Sequence, residues 1–290
     1  MAASPSRASS LQRRLASVAV LIPTLVAAGW WTLATVVVVA ICVALAIIEL
    51  FAMMRHGGFQ PRLGPGLAVG LSFVAAAAFQ PLASFDLTGL VLALAIALTL
   101  VYELLPRDRS ASLQNWALTF TGAVYIGWLL SSFVQLRLLI TPLQGGLLAS
   151  LQIPPGAAWL FLVLAITWIQ DSAAFFAGRA FGKHKMAPIL SPKKTWEGFA
   201  GGFIASILTA LVADLLLGLP LSYLGAALIG AVAGIAGPLG DLGESLIKRQ
   251  LGVKDSGNLI PGHGGILDRM DSLLFVGPVV YYGVLLAGFA

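Results

Sequence analysis

Nine long apolar segments, joined by short polar connections, run along almost the whole 290-residue chain. They span 15–29, 31–54, 66–84, 87–105, 117–139, 157–178, 198–218, 223–244 and 272–289. A helix needs about 20 mostly apolar residues to cross a bilayer. The pattern therefore predicts an all-α, polytopic integral membrane protein with about nine transmembrane helices. The first segment is short, and Pro23 predicts a kink that makes it half of a tight hairpin with the second. One membrane domain over 1–290 is expected, with N-terminal helices at 15–139 and catalytic helices and loops at 157–289.

Composition supports this reading. Only 10% of residues are charged and 59% are hydrophobic, against about 25% charged in soluble domains. So few charges would not cover the surface of a soluble chain of this length, and disordered or collagen-like chains are excluded as well. Arg7, Arg13 and Arg14 ahead of an apolar run imitate a signal peptide. The apolar stretch continues past Gly29-Trp30-Trp31 to Met54, too long for a cleaved leader. Cys42 is the single cysteine, so neither an intramolecular disulfide nor a thiolate metal cluster can form.

Charge placement tests the count. With a cytoplasmic N-terminus and nine crossings, 16 of the 17 Lys and Arg fall in 1–14, 55–65, 106–116, 179–197 and 245–271. Arg137 is the exception. This is a positive-inside distribution, and a miscounted span would scatter it. The net charge of +5 thus reflects orientation and anionic lipid, not nucleic acid.

Acids inside apolar spans are costly and point to function. Asp171 lies near the cytoplasmic end of its segment. Asp241 and Glu244 share a helix face at i, i+3 spacing, as do Asp268 and Asp271. Five carboxylates at one membrane depth suit Mg²⁺, which takes hard oxygen ligands and completes its shell with phosphates and water. Glu49 and Glu103 lie near cytoplasmic helix ends, where capping or pairing is the first expectation and contact with the site the second. Asp86 and Asp214 lie near the opposite face, where water solvates them.

Two connections carry dense polar residues. In SPKKTWEG, Ser191-Pro192 favours a turn, and Lys193, Lys194 and Thr195 beside a helix start form a candidate phosphate cradle, followed by Glu197. The stretch 245–271 joins the cations Lys248, Arg249, Lys254 and Arg269 to a backbone-exposing Pro261-Gly262-His263-Gly264-Gly265 turn. Other motifs fail. Gly178 to Lys183 is one residue short of a Walker A loop and is followed by His184. Gly230 and Gly234 predict close helix packing, and Trp30-Trp31 an interfacial belt.

From Ser245 to Asp271 the chain resembles the signature of phosphatidate cytidylyltransferases, also called CDP-diacylglycerol synthases, without departure over its 27 positions. SPKKTWEG and the Asp171 helix resemble further landmarks of that family, so the specific likeness covers about 165–275. The resemblance implies transfer of CMP from CTP to phosphatidic acid, with pyrophosphate released. It also implies Mg²⁺, a monovalent cation such as K⁺ beside it, and a homodimer. The implied metal ligands are Asp241, Asp268 and Asp271, with Asp171 as a further candidate. Asp241, Asp268, Asp271, His263 and Lys248 are the expected catalytic set. Ser191, Lys193, Lys194, Thr195, Glu197, Arg249, Lys254, Gly264, Gly265 and Arg269 are the expected substrate-binding set.

A cytidylyltransferase for another lipid phosphate is the nearest alternative. A cation-coupled transporter is the alternative from another class, but it calls for charges at mid-membrane and on both sides. The expected location is the bacterial inner membrane, with N-terminus and active site cytoplasmic.

Overall fold

The computed structural model describes residues 26–105, 110–257 and 264–288. Residues 26–30 are helical and eight longer helices follow. They are α1 (Thr32–His56), α2 (Leu63–Phe79), α3 (Leu87–Tyr102), α4 (Ser112–Arg137), α5 (Pro155–Phe181), α6 (Trp196–Leu217), α7 (Tyr223–Gln250) and α8 (Leu267–Leu286). A two-stranded ribbon, β1 (Lys185–Ala187) and β2 (Ser191–Thr195), is the only sheet among the described residues. Most of the first expected segment, 15–29, lies outside the described residues.

Among the described residues seven helices are long and apolar enough to cross a membrane, and the shorter one is α3. Its 16 residues extend about 24 Å. The expected helix over 87–105 stops early because Glu103 and the residues after it leave the helical path. α3 still completes an up-and-down pair with α2. Arg62, just before α2, meets Glu103, just after α3, through Nε–Oε1 at 2.7 Å and Nη2–Oε2 at 3.0 Å. This hydrogen-bonded pairing raises the Arg62 guanidinium pKa above its ordinary value. The alternation of direction therefore survives, and Arg55, Arg62, Arg179, Lys194 and Lys248 share one end of the bundle, here termed the basic end. At the opposite end Arg137 Nη2 donates to Trp30 O at 2.8 Å.

The helices outlast their apolar runs. α4 starts at Ser112, α7 continues to Gln250 and α8 starts at Leu267. Residues such as Leu, Lys, Arg and Gln at these ends are good helix formers, so the helices extend beyond the hydrocarbon-matching stretch. The expected connection over 245–271 shrinks to 251–266, and Lys248, Arg249 and Asp268 stand on helical turns. A second correction concerns Ser191-Pro192, expected as a turn. These residues open β2, where Ser191 pairs with Ala187 and Thr195 with Lys185, and the turn lies at 188–190. A ribbon of two strands has only edges, so Pro192 loses no obligatory ladder bond.

Close approach holds the bundle together, as it must where lipid is as apolar as the side chains. A Cβ on Gly127 of α4 would stand 2.5 Å from Gly70 Cα of α2. One on Gly230 of α7 would stand 2.8 Å from Ile207 Cα of α6, and Gly234 abuts Ser206, as the spacing predicts. Ile47, Leu50 and Phe51 of α1 pack with Ile126 and Leu130 of α4 and Leu267 and Leu274 of α8. The first half of the chain thus supports the helix that carries Asp268 and Asp271. Trp159, Leu162 and Ile166 of α5 pack with Ala233 of α7 and Val276 and Val280 of α8.

Candidate active site

A cleft of about 500 Å³ lies at the basic end between α5, the ribbon, α6 and α7. Asp171, Lys193, Lys194, Phe199 and Asp241 are among its lining residues. Local sequence builds it. Thr195 ends β2 and caps α6, its Oγ1 accepting the Gly198 N–H at 3.2 Å. Gly178 and Gly182 let the ribbon settle on α5, since a Cβ on them would lie 3.0 and 2.8 Å from Thr195 Oγ1. The two glycines that imitate a phosphate loop therefore serve packing. Lys194 then reaches α7, with Nζ 2.7 Å from Asp241 Oδ2 and 3.4 Å from the Pro238 carbonyl.

Pro238 shapes the α7 wall. It has no N–H, so the Gly234 carbonyl four residues earlier loses its helical donor. Gln170 replaces that donor, its Nε2 lying 2.8 Å from Gly234 O. Sequence reasoning singles out Asp171 and passes over Gln170. The available signal is the four-residue spacing from Gly234 to Pro238, which announces an orphaned carbonyl but not its partner. Gln170 also fixes the last turns of α5, and so the position of Asp171.

A second charged group continues along α7. Lys248 Nζ lies 2.7 Å from Asp268 Oδ1 and 3.3 Å from Glu244 Oε1. Asp268 Oδ2 accepts from Ser256 N at 3.0 Å, Ser256 Oγ at 2.9 Å and Gly265 N at 3.0 Å. Glu244 is 0% exposed, and neither of its oxygens has a hydrogen-bond donor. The 3.3 Å approach to Lys248 is an ion-pair distance without hydrogen-bond geometry. Asp271 links the two groups, because its carboxylate interacts electrostatically with Asp241, Asp171 and Lys248. Gly240 makes this possible by packing directly on the Asp271 carbonyl. Ser245 Oγ donates to Asp241 Oδ1 at 3.4 Å.

The other expected residues are spread more widely. Lys193 lines the cleft. Glu197 closes the base of the ribbon, with Oε1 2.7 Å from His184 Nδ1. Ser191 serves the ribbon ladder. Arg249 Nη1 donates to Val253 O at 3.2 Å, bracing the turn after α7. Lys254 and Arg269 are exposed. Gly264 has φ +84° and turns the chain into α8, with Asp268 Oδ2 beside it. His263 lies outside the described residues. Among the described residues, no three His, Cys, Asp or Glu side chains converge closely enough to hold a metal ion.

Comparison with known proteins turns this geometry into a family. The profile of the cytidylyltransferase family matches residues 12–287. The chain belongs to that family. It is 36% identical over 244 residues to the phosphatidate cytidylyltransferase of Bacillus subtilis strain 168, covering 82% of this chain and 85% of that one. The phosphatidate cytidylyltransferase of Synechocystis sp. is 36% identical over 278 residues, covering 90% and 91%. That of Staphylococcus epidermidis is 46% identical over 125 residues, covering 43% and 48%. The match spans both halves, so the α1, α2 and α4 helices behind α8 belong to the family architecture along with the cleft.

Proposed function

We propose that this protein transfers CMP from CTP to phosphatidic acid, forming CDP-diacylglycerol and releasing pyrophosphate. The Lys194–Asp241 bridge carries the reading: it spans a cleft at the basic end of a membrane bundle. A soluble polyanion and a lipid phosphate at the headgroup plane can both reach such a place. A homodimer in the bacterial inner membrane, with N-terminus and cleft cytoplasmic, completes the proposal. The gathering of Lys and Arg at one end supports the orientation.

The phosphatidate phosphate is already anionic at neutral pH, so its oxygen attacks the α-phosphorus of CTP without a strong base. The new P–O bond forms as the bond to the bridging oxygen breaks and pyrophosphate leaves in line. Positioning and charge neutralisation then supply most of the rate. Lys194 has three N–H donors. Asp241 and the Pro238 carbonyl orient the ammonium and leave a donor for a phosphate oxygen. Lys193 adds a second cation from the same strand.

The acidic side chains suit Mg²⁺. Asp241 on α7 and Asp271 on α8 stand where Gly240 packs on the Asp271 carbonyl, and one or two carboxylates are the usual protein share of a Mg²⁺ shell. Asp241 and Asp271 would hold it, with phosphate and water completing the shell, and Asp171 lines the same cleft as Asp241. Asp268, with its oxygens already taken by Lys248, Ser256 and Gly265, positions the start of α8. Mg²⁺ held there would supply polarisation of the α-phosphate and neutralisation of the leaving pyrophosphate. The resemblance adds a monovalent cation such as K⁺ beside it.

Asp241→Asn tests the assignment. Losing one preorganised electrostatic contact costs about 10²–10³ in kcat, and Asp241 is exposed enough for the fold to survive. A folded Asp241→Asn protein with wild-type turnover would remove the cleft from the mechanism.

A further inference from the structure

Glu49 sits seven residues before the end of α1, in the half of the chain remote from the signature. It is 8% exposed, and among the described residues no Lys or Arg lies within ion-pair distance of it. Its carboxylate is nevertheless fully engaged. Oε1 accepts the Ile266 N–H at 3.0 Å, and Oε2 accepts the Leu267 N–H at 2.9 Å and the Ser256 hydroxyl at 3.0 Å. These partners come from two places in the chain: Ser256 shortly after α7, and Ile266 and Leu267 at the start of α8. The N-terminus of α8 has no capping side chain of its own, and a carboxylate there also meets the positive end of the helix dipole.

The glycines of the signature fit this contact. A Cβ on Gly257 would stand 2.8 Å from Glu49 Oε1, and one on Gly265 would stand 2.5 Å from Glu49 Oε2 and strike Ser256 Oγ. Ser256 Oγ also lies 2.9 Å from Asp268 Oδ2. A hydroxyl carries one hydrogen, so Glu49 and Asp268 share it. Lys248 holds the far oxygen of Asp268 at 2.7 Å. One chain of bonds thus runs from α1 through Ser256 and Asp268 to Lys248 on α7.

We propose that Glu49 is a positioning residue for the transfer reaction: it ties Ser256 to the Ile266–Leu267 backbone and sets the start of α8, and through it Asp268 and Asp271. The inference rests on the cytidylyltransferase reading for its kinetic consequence only. A merely structural carboxylate would hold the bundle together and leave the turnover of folded molecules alone. Glu49 instead bonds to the backbone on which the signature side chains are mounted. Glu49→Gln keeps size but exchanges one acceptor oxygen for an NH₂ facing backbone donors. Glu49→Asp withdraws the carboxylate by one methylene. Ser256→Ala leaves the grip on α8 and releases the other end.

The test uses full-length protein in detergent, with kcat and KM for CTP and phosphatidic acid per folded molecule, melting temperature, and hydrogen exchange at the Ile266 and Leu267 amides. Glu49→Gln and Glu49→Asp are expected to lose at least about tenfold in kcat, with KM within about threefold of wild type. Their Ile266 and Leu267 amides are expected to exchange at least about tenfold faster. Ser256→Ala should lose kcat without a matching fall in melting temperature, and Glu49→Gln/Ser256→Ala should lose no more than Glu49→Gln alone. Wild-type kcat in folded Glu49→Gln, or unchanged amide exchange, overturns the proposal. If Glu49→Gln does not fold, full turnover in Ser256→Ala overturns it. A wild-type protein that forms no lipid product defeats the cytidylyltransferase reading instead, and the clamp is then decided by the exchange rates alone.

Discussion

Lys248 and Lys194 both face aspartates, yet replacing them should have very different consequences for the fold. The Lys248 side chain is 12% exposed, as is its partner Asp268, and its other neighbour Glu244 is 0% exposed. Lys248→Met would leave Asp268 with only its neutral donors and take away the cation beside Glu244. Removing one partner of a buried pair costs about 3–5 kcal/mol, because the surviving charge stays desolvated. At about 2–4 °C per kcal/mol for larger domains, the melting temperature should fall by about 6–20 °C. The Lys194–Asp241 pair is 24% and 35% exposed, and solvent-screened pairs contribute about 0–1 kcal/mol. Lys194→Met should therefore melt within about 4 °C of wild type while losing most of its turnover. Fluorescence-detected melting of the detergent-purified variants reads both numbers. Equal melting temperatures for the two lysine variants would refute the reasoning.

Other outcomes follow from packing and chemistry. Gly127→Ala forces a Cβ to 2.5 Å from Gly70 Cα and should destabilise the α2–α4 contact by about 1–3 kcal/mol. Gly64→Ala meets nothing within 4 Å and should melt no lower than wild type, so melting curves of the pair separate overpacking from a general intolerance of substitution. Chelation of divalent cations should abolish lipid-product formation and added Mg²⁺ should restore it. Full turnover in excess chelator would exclude the proposed use of the Asp241–Asp271 carboxylates.

The parts of this molecule that could be read in its sequence share one property: they depend on neighbours in the chain. Apolar segments long enough to span a bilayer announce helices, and charge asymmetry orders them. Lys193, Lys194 and Thr195 occupy consecutive positions, and Thr195 caps the helix that follows. Asp171 and Asp241 were visible because acids are expensive in apolar spans. Helix ends were less legible, because apolar length marks where lipid stops, whereas α7 and α8 continue through Lys248 and Asp268. Pro192 looked like a turn because proline usually breaks ladders, but a two-stranded ribbon tolerates it. Gln170 was hidden, and Glu49 was legible only as a capping or pairing acid without its partners, for a different reason. Each acts on backbone groups far away in sequence, 64 residues for Gln170 and more than 200 for Glu49. Only helix packing brings those groups within reach.

The central claim is that this cleft joins CTP to a lipid phosphate. The most direct measurement gives detergent-purified protein phosphatidic acid, Mg²⁺ and CTP labelled at the α-phosphate, and follows label into lipid alongside pyrophosphate release. The account predicts labelled CDP-diacylglycerol in one-to-one ratio with pyrophosphate, lost in Asp241→Asn and in Lys194→Met. Folded wild-type protein that transfers no label to phosphatidic acid would contradict it.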